Sequence, residues 1–177
     1  MSHVPRKRFG QHFLKDARIL DRITDAIEPR ATDEFVEIGP GEGVLTERLL
    51  RFVPGLTAVE VDRDLAEYLR TRFREKLNLI VGDALIQDFG VFGENLRIVG
   101  NLPYNISTPF IFHLCNFAPK FRDMHFMLQK EVVERMSARV STSAYGRLSI
   151  MTQYWFDVTP LFLVPPDAFK PAPKVES

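Results

Sequence analysis

The chain predicts an α/β fold, a doubly wound and mostly parallel sheet with helices on both faces, and three observations carry that prediction. Short apolar runs alternate with helix-period segments between residues 34 and 164, the pattern of repeated strand, crossover and strand. The runs at 34–38, 56–60, 77–81 and 96–100 are apolar enough for strands covered on both faces. Each of the four leads into glycine, a carboxylate or an amide: Gly39, Glu60, Gly82-Asp83 and Asn101. Open α/β sheets bind ligands at such strand ends.

The elements follow in order. Asp16 caps a helix running to Ile27, with Ile19, Leu20, Ile23 and Ile27 on one face, and Pro29 ends it. Then come strand 34–38, helix 43–53, strand 56–60, helix 63–75, strands 77–81 and 96–100, and helix 108–117, which Thr108-Pro109 opens. Strand 124–129, helix 130–139, a polar loop at 140–144, helix 146–154 and strand 156–164 complete the alternation. Four of the twelve prolines fall in 165–173, so the tail reads as an extended, stiff loop.

The 177 residues, 45% of them hydrophobic, make one domain, 1–177, able to bury a core without disulfide or metal staples. No apolar run is long enough to span a membrane, and the basic start Arg6-Lys7-Arg8 lacks the apolar segment of a secretory signal, so the expected compartment is the cytoplasm. The single Cys115 agrees with a reducing compartment and reads as a core residue. His3, His12, His113 and His125 lie far apart with no close His/Cys pair, so no metal is expected.

A formal net charge of zero hides segregation. Residues 1–30 carry seven Lys/Arg against four Asp/Glu, residues 31–95 seven against thirteen, and residues 120–150 six against three. Basic ends around an acidic centre suit phosphates approaching one rim of a site, provided that Arg6, Lys7, Arg8, Lys130, Arg135, Arg139 and Arg147 meet in space. Solvated faces with no ligand would carry the same counts.

The motifs sharpen the chemistry. Gly39-Pro40-Gly41-Glu42-Gly43 follows a strand, and Glu60 stands nineteen residues after Gly41, the spacing of a carboxylate that accepts hydrogen bonds from ribose hydroxyls. Val44 stands where a dinucleotide fingerprint would need glycine, and no Gly-Lys-Ser/Thr follows, so an adenosyl cofactor fits better than NAD or a nucleoside triphosphate. Asp83 would accept from the adenine amino group, or else cap a turn. Asn101-Leu102-Pro103-Tyr104 combines an amide, a proline-restricted backbone and an aromatic ring, which suits a flat base bearing an amino group. A strand-to-helix turn would use the same residues.

With these residues, together with Arg8-Phe9-Gly10-Gln11-His12-Phe13-Leu14, Met127-Leu128-Gln129-Lys130-Glu131-Val132, Ala144-Tyr145-Gly146-Arg147-Leu148-Ser149, Val164-Pro165-Pro166 and Phe169, the chain closely resembles the ribosomal RNA adenine dimethyltransferases. The resemblance covers nearly the whole chain, though position 12 is often asparagine in that motif. It implies a Rossmann-like methyltransferase fold using S-adenosyl-L-methionine, and dimethylation of two adjacent adenosines near the 3′ end of small-subunit rRNA. The implied donor site is Gln11, His12, Leu14, Gly39, Gly41, Glu60, Asp83, Ala84 and Asn101. The implied acceptor site is Asn101, a carbonyl of Leu102 or Pro103, and the rings of Tyr104 and Phe169. The partner would be rRNA within an assembling 30S subunit, and the chain a monomer. Such enzymes carry a helical, RNA-positioning domain after the catalytic one, so the resemblance also implies that this domain lies outside 1–177 and that an antiparallel edge strand leading from 174–177 is incomplete. Two rivals remain: an adenine methyltransferase acting on large-subunit rRNA or DNA, and a chiefly non-catalytic factor that docks on the assembling subunit.

Overall fold

A computed structural model describes residues 12–177. Five parallel strands form the main sheet in the order β4-β3-β2-β5-β6: β2 (Phe35–Ile38), β3 (Leu56–Glu60), β4 (Leu77–Val81), β5 (Leu96–Asn101) and β6 (Phe121–Met127). Strand order reverses between β2 and β5, so the connections that follow their ends part to opposite sides and leave a crevice above them.

Both faces of the sheet are covered, which is why its central strands are apolar at successive positions. Phe35 and Val99 point to one side and pack with Ile27, Leu49, Val53 and Leu69 from α1 (Ala17–Ile27), α2 (Val44–Leu49), α3 (Arg63–Phe73) and their connections. Val36, Ile38 and Ile98 point to the other and pack with Phe110, Leu114, Val132 and Leu148 from α4 (Ser107–Cys115), α5 (Lys130–Met136) and α6 (Arg147–Trp155). Phe89, fully buried beneath the β4–β5 connection, meets Phe92, Phe110, His113, Phe117 and Phe121 edge to face. At the opposite end of the sheet from the crevice, the buried Arg97 donates to Asp33 Oδ2 (2.6 Å) and Asp123 Oδ1 (2.8 Å), fastening β5 to β6 and to the loop before β2.

A smaller unit closes one side. β1 (Phe13–Leu14) pairs antiparallel with β7 (Phe169–Lys170), Leu14 opposite Phe169, and both residues pack with Ile19, Leu20, Val164 and Ala168. Asp16 caps α1 as expected, its Oδ1 accepting from Arg18 N at 2.8 Å and Ile19 N at 3.3 Å.

The expected strand at 156–164 is corrected. Its apolar spacing is strand-like, yet only Val164 makes a paired bridge, exchanging both backbone hydrogen bonds with Ser177 (2.7 and 3.1 Å). A strand exists only through a neighbour, and Pro160 has no N–H to give one. Glu176 O also accepts from Lys130 N at 3.0 Å, so 176–177 lies between the start of α5 and Val164. The tail is not wholly extended either, since Pro166–Ala168 forms a 3-10 turn.

Candidate active site

The first βα turn comes from three glycines with positive φ, a conformation other residues adopt only under strain, and two of them show what the turn gains. Gly39 has φ +60°, and a Cβ there would meet nothing within 4 Å, so its backbone faces open space at the end of β2. Gly43 has φ +77°, and a Cβ there would lie 2.5 Å from the Phe73 ring, so α2 could not start so close to α3.

Glu60, at the tip of the neighbouring β3 and only 4% exposed, accepts from Gly41 N through Oε2 (3.2 Å) and from Asp62 N through Oε1 (2.9 Å). Burial pushes this carboxyl above the usual carboxylate range while those two N–H groups pull it back. A carboxylate has about four lone-pair positions, so each oxygen keeps one for a hydroxyl in front of it. Asp83, just beyond β4, accepts from Leu85 N at 2.9 Å through Oδ1, so the turn-capping reading of Asp83 holds for that oxygen.

Asn101 closes the row. Its Nδ2 donates to the His12 carbonyl at 2.9 Å. A carbonyl can only accept, so that contact fixes which end of the amide is which and leaves Oδ1 as the acceptor on the other side. Leu102 N donates to Met127 O (3.2 Å) and Ser107 Oγ donates to Pro103 O (3.1 Å), which holds the Leu102-Pro103 corner between β5 and α4. Tyr104 is fixed twice: its hydroxyl shares a 2.7 Å hydrogen bond with Ser177 Oγ, and its ring stacks on His12 with centroids 5.4 Å apart.

These residues line one cavity of about 1070 Å³ that runs along the strand ends and past β6 to 155–164. Its walls include His12, Leu14, Gly39, Gly41, Glu60, Asp83, Ala84, Asn101, Leu102, Pro103 and Tyr104. Phe169 is not among them: it is 5% exposed and packs in the small core where β7 pairs with β1, whereas Tyr104, stacked on His12, does line the cavity. Gln11 lies outside the described residues, as do Arg6, Lys7 and Arg8. Of the remaining basic residues, Lys130, Arg135, Arg139 and Arg147 all fall on α5, α6 and the connection between them, which pack together. Lys130 reaches the cavity rim and pairs with Glu176 at 3.0 Å.

Sequence reasoning missed Glu37. It is 2% exposed, lies inside β2 on the α2 side, and accepts from the buried Thr46 hydroxyl at 2.6 Å. Burial raises its pKa to about 7, the nearby Glu60 adds to the rise, and the Thr46 bond opposes it. The available signal was a carboxylate in the middle of an apolar strand, which is costly unless it has a task.

A parallel sheet whose strand ends present a glycine turn, a buried carboxylate, a second carboxylate and an oriented amide has the Rossmann-like architecture of S-adenosylmethionine-dependent methyltransferases. The ribosomal RNA adenine dimethylase family model matches residues 2–177, and the chain belongs to that family. It is 61% identical over 176 residues to the ribosomal RNA small subunit methyltransferase A of Thiobacillus denitrificans, spanning 99% of this chain and 69% of that one. The protein of the same name from Legionella pneumophila (strain Corby) is 58% identical, with 100% of this chain and 70% of the relative spanned. Among solved structures, a dimethyladenosine transferase from Plasmodium falciparum superposes with a TM-score of 0.84 at 35% identity, covering 93% of this chain and 60% of its own. The 23S rRNA methyltransferase ErmE superposes with a TM-score of 0.81 at 28% identity, covering 93% of this chain and 66% of its own.

Proposed function

We propose that this chain binds S-adenosyl-L-methionine in the strand-end cavity and dimethylates the exocyclic amino group of two adjacent adenosines near the 3′ end of small-subunit rRNA, within an assembling small subunit. The observation that carries the reading is the orientation of Asn101, whose amide nitrogen is committed to the His12 carbonyl. Its oxygen is thereby presented as an acceptor at the end of β5, beside the Tyr104 ring.

The pocket residues fit the cofactor. The open backbone at Gly39 admits it, Glu60 has the free lone pairs for two ribose hydroxyls, and Asp83 keeps one carboxylate oxygen for the adenine amino group. When bound, S-adenosylmethionine supplies an electrophilic methyl on a sulfonium. The protein's work is then placement, since the amino nitrogen has to lie in line with that methyl at about 3 Å. An adenine amino group is a weak nucleophile because its lone pair is delocalised into the ring. Acceptance of its protons by Asn101 Oδ1 and by the Leu102 carbonyl, that of Pro103 being already occupied by Ile106 N and Ser107 Oγ, favours a pyramidal nitrogen whose lone pair points away from both. Stacking on Tyr104 holds the extruded base, at about 1–3 kcal/mol per base. No strong base is needed, because the methylated nitrogen is acidic and gives up its proton readily.

Relatives named for the small subunit at 58–61% identity favour that substrate over large-subunit RNA, for which the similar structure is 28% identical. The reading also makes the chain a monomer in the cytoplasm; no helix among the described residues is long and apolar enough to cross a membrane. The chain spans 69% of its Thiobacillus relative, and we assign RNA positioning in large part to what that relative carries beyond the match. Asn101→Ala is expected to abolish methyl transfer to unmethylated small subunits while cofactor affinity, read by calorimetry, stays near wild type. Asn101→Asp should be no better, since it sets a carboxylate oxygen against the His12 carbonyl. A variant that turns over normally at saturating cofactor would assign Asn101 to the donor instead.

A further inference from the structure

The resemblance places position 12 on the donor side, but the contacts of His12 lead elsewhere. Its carbonyl accepts the Asn101 amide at 2.9 Å. Its ring lies over Tyr104, with the planes 28° apart. Its Nδ1 is 2.8 Å from the Pro171 carbonyl, and since that oxygen only accepts, Nδ1 carries the proton. One face of the ring and one ring nitrogen are therefore already committed. The residues they touch are the base-stacking tyrosine and the tail, whose last residue, Ser177, holds the Tyr104 hydroxyl.

We propose that His12 is a positioning residue for the acceptor base: its ring, oriented by the bond from Nδ1 to the Pro171 carbonyl, sets the plane of Tyr104. This rests on the function proposed above. An unsupported tyrosine side chain has two rotatable angles and must give up that freedom when a base stacks on it. With His12 against one face of the ring and Ser177 at the hydroxyl, that freedom is already lost before the RNA arrives. Asparagine at position 12 would keep a hydrogen-bond donor but lose the ring, whereas phenylalanine would keep the ring and lose the Pro171 bond.

The test compares His12→Ala, His12→Asn and His12→Phe, each checked for an unchanged thermal transition. The readouts are cofactor affinity by calorimetry, kcat and KM on unmethylated small subunits, and quenching of 2-aminopurine placed at the target position of a short single-stranded RNA. The expected result is cofactor affinity within about threefold in all three, transfer and quenching weakened by about tenfold in the Ala and Asn variants, and recovery to within about threefold in the Phe variant. In a Tyr104→Ala background, His12→Ala should add nothing further to the loss of quenching, because it acts through that ring. The proposal is overturned if His12→Ala loses cofactor affinity while transfer at saturating cofactor is normal, or if the Phe variant is as impaired as the Ala variant in quenching. A wild-type chain that neither methylates small subunits nor quenches the probe overturns the proposed function itself, and this proposal with it.

Discussion

At the scale of single residues, the proposed donor and acceptor halves of the site are set by which hydrogen-bonding capacity the fold has already used. Glu60 spends one lone pair per oxygen on the Gly41 and Asp62 N–H groups, which aims the carboxylate without saturating it. Glu60→Ala should remove charge-assisted hydrogen bonds to ribose worth about 1.5–3 kcal/mol and weaken cofactor binding to match; calorimetric affinity equal to wild type would remove Glu60 from the donor site. The strand-end residues were legible in the sequence because each follows directly on an apolar run. The partnership of His12 with Tyr104 and Asn101 was not, because those residues lie about ninety positions apart and meet only when the residue before β1 reaches the end of β5. Phe169 is a similar case: pairing with β1 turns its side chain into the small core with Leu14 and Leu20.

At the scale of elements, β2 carries a liability beside the strand-end residues of the cavity. The Glu37 carboxyl is buried beneath α2, with its pKa raised from 4.5 to about 7. The folded state thus holds this proton more tightly than the unfolded chain, so its contribution to stability is full below pH 4.5 and is lost as pH rises to about 7. By linkage the loss is at most about 3 kcal/mol. Glu60 shifts in the same direction and adds to the trend. Glu37→Gln keeps an acceptor for the Thr46 hydroxyl and removes the titration, so its melting temperature should vary much less between pH 5 and pH 8 than that of wild type, and should exceed it at pH 8. Parallel melting curves for the two proteins across that range would show that Glu37 does not titrate there. Elements formed by local pattern, such as the capped α1 and the glycine turn, could be read in advance. The 156–164 segment could not, since alternation marks a strand's faces but says nothing about whether a partner lies alongside.

At the scale of the whole molecule, the sheet ends at β6, and beside its end Glu176 O accepts from Lys130 N while Ser177 exchanges both backbone hydrogen bonds with Val164. We propose that the additional sequence of the longer relatives continues this pairing and then supplies phosphate contacts alongside Lys130, Arg135, Arg139 and Arg147. Such contacts make affinity fall steeply with salt. A chain extended to the relatives' length should therefore methylate small subunits much faster than residues 1–177 at physiological salt, with a smaller difference at low salt. Equal rates across the salt range would remove the positioning role from that sequence. The deciding experiment incubates the chain, at low salt, with S-adenosylmethionine and unmethylated ribosomal subunits, then locates the modified nucleotides by mass spectrometry. N6,N6-dimethyladenosine is expected at two adjacent positions near the 3′ end of the small-subunit RNA, absent with Asn101→Ala. Methyl groups found only in large-subunit RNA, or found equally with the Asn101 variant, would contradict the proposed function.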